Sequence, residues 1–269
     1  MKAGLLATSV CHWVGVTCGS RHQRVKSLNL SNMPLIGKIP REFGNLSFLV
    51  SLDLRSNNFH GNLPQEMASL RRLKFLRLSV NNFSGMFPSW FGLLHQLQFL
   101  SLRNNSFTGS IPSSISNISK LETLNLKFNS IEGQIPKVIG SLVNLRVLNL
   151  MGNSLSGYLP NGLCNGLPIL KGLYLSYNKL HGQMPTGLTN CSQLQILSLS
   201  DNEFDGPIHS AIGSLTNLQV LDLRTNHFSG IIPQEIGNLV NFVQLAMEDN
   251  QITGSVPIFI FNISSLQVL

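Results

Sequence analysis

A grid of apolar residues returns along this chain at a nearly constant interval, and it limits the possible folds more than any other feature of the sequence. Units start at Val25, Leu49, Leu73, Leu97, Leu121, Leu145, Leu170, Leu194, Leu218, Phe242 and Leu266, every interval being 24 residues except one of 25. Ten units are complete. The stretch LVSLDLRSNNFHGNLP, residues 49–64, shows the form: apolar residues at positions 1, 4, 6, 11 and 15, Asn at 9, Gly at 13 and Pro at 16. A period of this length belongs to solenoids, whose units bury their apolar faces only against one another.

The spacing has a physical reading. Positions 4 and 6 fall on one side of a short extended segment while 3, 5 and 7 fall on the other, so stacked segments are expected to pair as a parallel sheet with the leucines inward. Each buried leucine then contributes about 1.5–3 kcal/mol. Beyond the strand the chain turns into the core, where backbone groups need partners, and an Asn amide both donates and accepts. Asn57, Asn81, Asn105, Asn129, Asn153, Asn178, Asn202, Asn226 and Asn250 are therefore expected to form a ladder, with Met33 departing from it in the first unit. Gly at position 13 allows positive φ, and Pro at 16 fixes φ and delays helix formation. His209 replaces that Pro in the eighth unit, a change expected to be tolerated.

The ending LxGxIP, as in FTGSIP at residues 107–112, resembles that of plant-specific leucine-rich repeats, and CHWVGVTC, Cys11 to Cys18, resembles the end of that family's N-terminal cap. The resemblance covers residues 11–269 and implies the extracellular ligand-binding part of a receptor-like kinase or receptor-like protein. The segment LCNGLPILKGLYLSYNKLHGQMPTGLTNCSQL is similar to one in immune receptors that sense bacterial flagellin and elongation factor. The fold implied is a curved right-handed leucine-rich repeat solenoid of α/β type, with a parallel sheet on the concave face and turns or short 3-10 helices on the convex side. Its expected divisions are a shortened cap at 1–24, ten repeats at 25–265 and the start of an eleventh at 266–269. Few residues precede Cys11 and the chain stops at LQVL, so it reads as a piece of a longer receptor. A serine/threonine kinase and a co-receptor ectodomain would then belong to the parent, for defence or development signalling at the extracellular side of the plasma membrane or in the apoplast. The rival within the same repeat class is a secreted, non-signalling protein of the polygalacturonase-inhibiting type.

Cysteines and sequons fit that setting. Cys11 and Cys18 match the cap motif, while Cys164 and Cys191 occupy similar late positions in neighbouring units, where stacking brings them together. Both pairs suit disulfides and an oxidising compartment, with free buried thiols as the alternative. Of seven N-x-S/T sequons, Asn45, Asn117, Asn190 and Asn262 all stand at position 21 of every third unit, away from the strand, and are the expected glycosylation sites. Asn29 and Asn104 are placed on the strand segment, where a glycan would cover the sheet.

Several functions are disfavoured. The seven His residues occupy different repeat positions with no acidic partner repeating beside them, no glycine-rich phosphate loop is present, and no His stands at zinc spacing from a cysteine pair. No enzyme activity, metal or cofactor is therefore expected. With 43% hydrophobic and 12% charged residues the chain is not disordered, and no apolar run is long enough to span a bilayer. The first ten residues, MKAGLLATSV, are too short in their apolar part to read as an export signal. A formal charge of +7 could suggest nucleic acid, yet the basic residues are scattered over turns, so that partner is not expected.

The charge is segregated instead. Residues 1–179 hold 18 Lys and Arg against 5 acidic residues, whereas 180–269 hold only Arg224 against 7. Outward positions 3, 5, 7 and 8 are left free by the repeat, and a ligand is expected there. The candidates are Arg55, Phe75, Arg77, Phe99, Arg103, Lys127, Phe128, Tyr174, Tyr177, Asp222, Arg224 and Glu248, because aromatic and arginine side chains make the strongest anchors at interfaces. Phe75 and Phe99 could instead pack on one another across adjacent strands. A peptide or protein segment is expected to meet units two to five with its acidic part, its basic or neutral part lying toward Tyr174 and Tyr177. Some members of the resembled family read a free C-terminal carboxylate with Arg-x-Arg on one strand; no strand here has that pair.

Overall fold

The computed structural model describes residues 9–268. The start of the 1–24 cap span, most of MKAGLLATSV and Leu269 of the 266–269 piece lie outside the described residues. Two sheets run the length of the solenoid. The first has eleven strands, three residues long in all but one: Val16–Cys18, Val25–Asn29, Ser51–Asp53, Phe75–Arg77, Phe99–Ser101, Thr123–Asn125, Val147–Asn149, Gly172–Tyr174, Ile196–Ser198, Val220–Asp222 and Gln244–Ala246. Val16–Cys18 pairs antiparallel with Val25–Asn29, and all the others pair in parallel, each residue opposite its equivalent one unit on. This is the concave face.

The inward pair of each unit is sealed. Leu52, Leu54, Leu76, Leu78, Leu100, Leu102, Leu124 and Leu126 are fully buried, and position 11 adds a second inner row in which Phe59, Phe83 and Phe107 stack at 6.1 and 6.4 Å between centroids. Between the two rows runs the asparagine ladder. Asn129 is typical: its Nδ2 donates to the carbonyls of Leu102 and Leu126 at 3.1 and 2.9 Å, and its Oδ1 accepts from the amide of Phe107 at 3.0 Å. The same bonds recur from Asn57 to Asn250. Every side-chain donor and acceptor buried among the described residues has a partner.

The strands are shorter than the repeat pattern suggests, covering positions 3–5 alone in most units, because the chain must bend toward the Asn. At position 8 the backbone turns left-handed: Asn32, Ser56, Val80, Asn104, Phe128, Tyr177, Asp201, Thr225 and Asp249 have φ of 51–58°, and Gly152 has 66°. Asn104 thus sits in this turn and not on the strand where the sequence placed it. After the turn a second sheet of ten strands forms on the flank, from Ile36–Gly37 to Gln251–Thr253, an element that the periodicity did not reveal. Glycines of position 13 stand at or within one residue of the ends of these strands, at positive φ.

Position 16 then starts a short 3-10 helix on the convex side, as in Arg41–Asn45 or Lys137–Ser141. His209 takes φ −69° and ψ 142°, the same conformation as the prolines in its row, which is why the substitution costs the fold nothing visible. Among the described residues no helix is long and apolar enough to cross a membrane. Both disulfides are formed. Cys11 bonds Cys18, and Cys164 bonds Cys191 across two neighbouring convex helices.

Candidate ligand-binding surface

Parallel register sets the outward residues in columns about 4.8 Å apart. Phe75 and Phe99 are opposite one another, and the Arg77 guanidinium lies over both rings, 5.5 and 4.7 Å from their centroids. An arginine is thus laid across both rings. Such a head is held in one orientation and partly shielded from water. Arg77, Phe99, Arg55, Arg103, Ser79 and Ser101 border a groove of about 390 Å³. Arg55 has its Nε 3.5 Å from Oδ2 of the buried Asp53, whereas Arg103 bonds only the Asn104 amide oxygen at 3.1 Å. The groove is thus rimmed by three guanidinium groups, one of them paired with a buried carboxylate.

Lys127 and Phe128 sit beside it, the Lys127 ammonium 4.7 Å from the ring centroid. Phe128 covers Gly152 of the next unit so closely that a Cβ there would lie 2.1 Å from the ring, and Gly152 also has positive φ. Two requirements meet at one glycine. Further along, Tyr174 lies against Gly172, where a Cβ would come within 2.7 Å of its ring, and burial pushes its phenol above the usual tyrosine range. Tyr177 is exposed in its left-handed turn. Beneath this part Ser176, Ser198 and Ser200 form a buried hydroxyl chain, with Oγ separations of 2.6 and 3.0 Å.

The acidic end is less open than the sequence implied. Arg224 grips Asp222 bidentately at 2.9 and 3.0 Å and reaches Glu248 at 3.6 Å. That fork, with the charge of Asp222, raises the Arg224 pKa beyond its already high value. Asp222 is buried and already fully engaged, so it is not a free contact for a ligand; Glu248 remains exposed. The twelve candidates fall into three clusters on one surface: Arg55 to Arg103 around the groove with Lys127 and Phe128 alongside, the two tyrosines, and the Asp222–Arg224–Glu248 network. Sequence reasoning missed Asn32, Ser56, Val80, Ser101 and Asn125 on the groove wall. The first three stand at position 8, and the frequency of Asn, Asp and Gly in that column was the available signal, since these residues tolerate positive φ best.

Comparison with known proteins follows the same geometry. A leucine-rich repeat region pattern matches residues 20–132, and leucine-rich repeat patterns match residues 144–204 and 217–239. This chain belongs to the leucine-rich repeat family. Among curated proteins it is 55% identical over 49 residues to the LRR receptor-like serine/threonine-protein kinase EFR of Arabidopsis thaliana, a stretch of 18% of this chain and 5% of that protein. Among solved structures it is similar to the ectodomain of the Arabidopsis thaliana receptor kinase GASSHO1/SCHENGEN3 in complex with CASPARIAN STRIP INTEGRITY FACTOR 2, with 35% identity, a TM-score of 0.93, and coverage of 96% of this chain and 31% of that one. The ectodomain of the Arabidopsis receptor kinase HAESA with an extended IDA peptide hormone gives 33% identity and a TM-score of 0.89, covering 97% of this chain and 44% of that one. The chain thus spans a small part of the curated relative and less than half of either solved ectodomain, and it matches their repeats and not a catalytic domain.

Proposed function

We propose that this chain is ligand-binding sequence from the extracellular region of a plant receptor-like kinase or receptor-like protein, and that it takes an extended peptide or protein segment on its concave face for defence or development signalling. One observation carries the reading: the outward columns gather oriented guanidinium groups, aromatic rings and a groove of about 390 Å³ on a face that the repeat itself leaves without a structural task. Likeness to ectodomains solved with CASPARIAN STRIP INTEGRITY FACTOR 2 and with IDA supports it. A co-receptor in the parent is supported by HAESA having been solved together with IDA and SERK1.

Charge orients the ligand. Arg55, Arg77, Arg103 and Lys127 face its acidic part, and Glu248 with Asp249 faces its basic or neutral part. Rim charges mainly steer, so most of the affinity comes from the aromatic and arginine anchors. The test is retention of a library of extended peptides by the secreted chain. Peptides with an acidic half are expected to be enriched, and Arg103→Glu with Lys127→Glu is expected to cut their retention by more than about tenfold, or roughly 1.4 kcal/mol, less so at high salt. The concave-face reading fails if those reversals change nothing while Lys137→Glu, on the convex side, abolishes retention.

A further inference from the structure

A second cationic site lies on the rim where the strands of the first three units begin, apart from the outward columns of positions 3, 5, 7 and 8. Arg24, Phe48 and Arg72 each stand one residue before a unit start, and Lys26, Val50 and Lys74 each stand two residues further on. The Val50 amide donates to the Lys26 carbonyl at 2.7 Å and the Lys74 amide to that of Val50 at 2.8 Å, so the second row is in register. The result is a grid of two rows of three, with a cation at each corner and Phe48 and Val50 between them.

Phe48 holds the upper row in place. The Arg72 guanidinium lies 4.3 Å from its ring centroid and that of Arg24 5.7 Å, with the His22 ring edge-on at 6.3 Å. These groups line a groove of about 270 Å³. The ion pairs among the described residues use Arg41, Arg55, Arg146 and Arg224, and none of the four corner cations. The row continues: Lys120 precedes the fifth unit, its ammonium 2.7 Å from the Gln96 amide oxygen. Basic residues therefore recur before units one, three and five, and at two strand spacings per step they stand roughly 10 Å apart.

We propose that this rim binds a linear polyuronate, an acidic polysaccharide with a carboxylate on each sugar. The solenoid fixes the cation spacing, and a polymer of fixed repeat can meet several such cations at once. An acidic polypeptide has no obligatory spacing of its charges. Guanidinium groups preset on Phe48 give carboxylates a planar, two-pronged partner. Because the rim and the concave columns are different surfaces, this site stands or falls apart from the peptide site.

The experiment is titration of the full secreted chain with polygalacturonate, with poly-L-glutamate as the comparison. Polygalacturonate is expected to bind more tightly than poly-L-glutamate, with an affinity that falls as salt is raised. Replacing Arg24, Lys26, Arg72 and Lys74 together by Gln is expected to weaken binding at least about tenfold, at an unchanged melting temperature. Phe48→Leu keeps every charge and is expected to lose about threefold through the freed guanidinium groups. Arg103→Glu with Lys127→Glu is expected to leave polygalacturonate binding within about twofold. The proposal is overturned if folded wild-type chain does not bind polygalacturonate, if the fourfold Gln variant binds it as well as wild type, or if poly-L-glutamate binds equally tightly, which would make the rim a site for acidic polypeptide.

Discussion

Val80 shows what the repeat demands of one residue. It sits at position 8 with φ of 58°, a region where a β-branched side chain crowds its own backbone, while Asn32, Asn104, Asp201, Asp249 and Gly152 hold the same place in other units with residues suited to it. The chain accepts the strain because the backbone on either side is fixed: the Val80 amide donates to the Arg103 carbonyl at 2.8 Å, and Asn81 is anchored in the ladder. Val80→Asn is expected to stabilise the chain by about 1 kcal/mol, since Asn relieves most of the left-handed cost and Val80 is exposed. Chemical denaturation of the two proteins checks this. An unchanged or lowered midpoint with equal slope would show that Val80 packing outweighs its backbone strain.

Among the elements, the convex helices are the least regular and carry the covalent tie. The unit that begins at Leu145 has the extra residue, its helix runs Leu163–Gly166 after Gly162 instead of directly after a proline, and Cys164 in that helix bonds Cys191 at the end of the next. Closing a loop of sequence separation 27 is worth about 3–4 kcal/mol in a chain-entropy estimate. Cys164→Ser with Cys191→Ser is expected to lower stability by that amount, with amide exchange rising first between the units starting at Leu145 and Leu194. Uniform loosening of all units would contradict the idea that solenoid stability is a sum of local units and interfaces.

Over the whole molecule the faces divide their tasks. Asn45, Asn117, Asn190 and Asn262 each end a 3-10 helix, are exposed, and form a stripe on the outer side with one sequon in every third unit. Asn29 ends a concave strand and its Oδ1 accepts from the Ser31 amide at 3.1 Å. Glycopeptide mass spectrometry of secreted protein is expected to find the stripe occupied and Asn29 bare. Occupancy of Asn29 with a bare stripe would place the carbohydrate on the proposed ligand face and refute this division.

Much of this was legible from spacing alone. The unit boundaries, the inward leucines, the asparagine ladder and the closeness of Cys164 to Cys191 follow from a period that leaves each unit only one way to bury its leucines and satisfy its turn, so Leu124 and Asn129 could be placed from spacing, whereas the Cys11–Cys18 pair came from the resemblance of its motif. The left-handed turn at position 8 and the second sheet were not, because both depend on where the chain goes after it dives inward, and several residue types stand in those columns. Nor could the sequence say which outward charges are free. Asp222 looked like ligand chemistry until Arg224, two residues on along the same column face, was found gripping it. Arg24 and Arg72 are 48 residues apart in sequence, yet they share the Phe48 ring. A repeat determines which residues are stacked; only the tertiary structure decides how their long side chains spend their charges, because those choices are made between neighbouring units through contacts of a few ångströms.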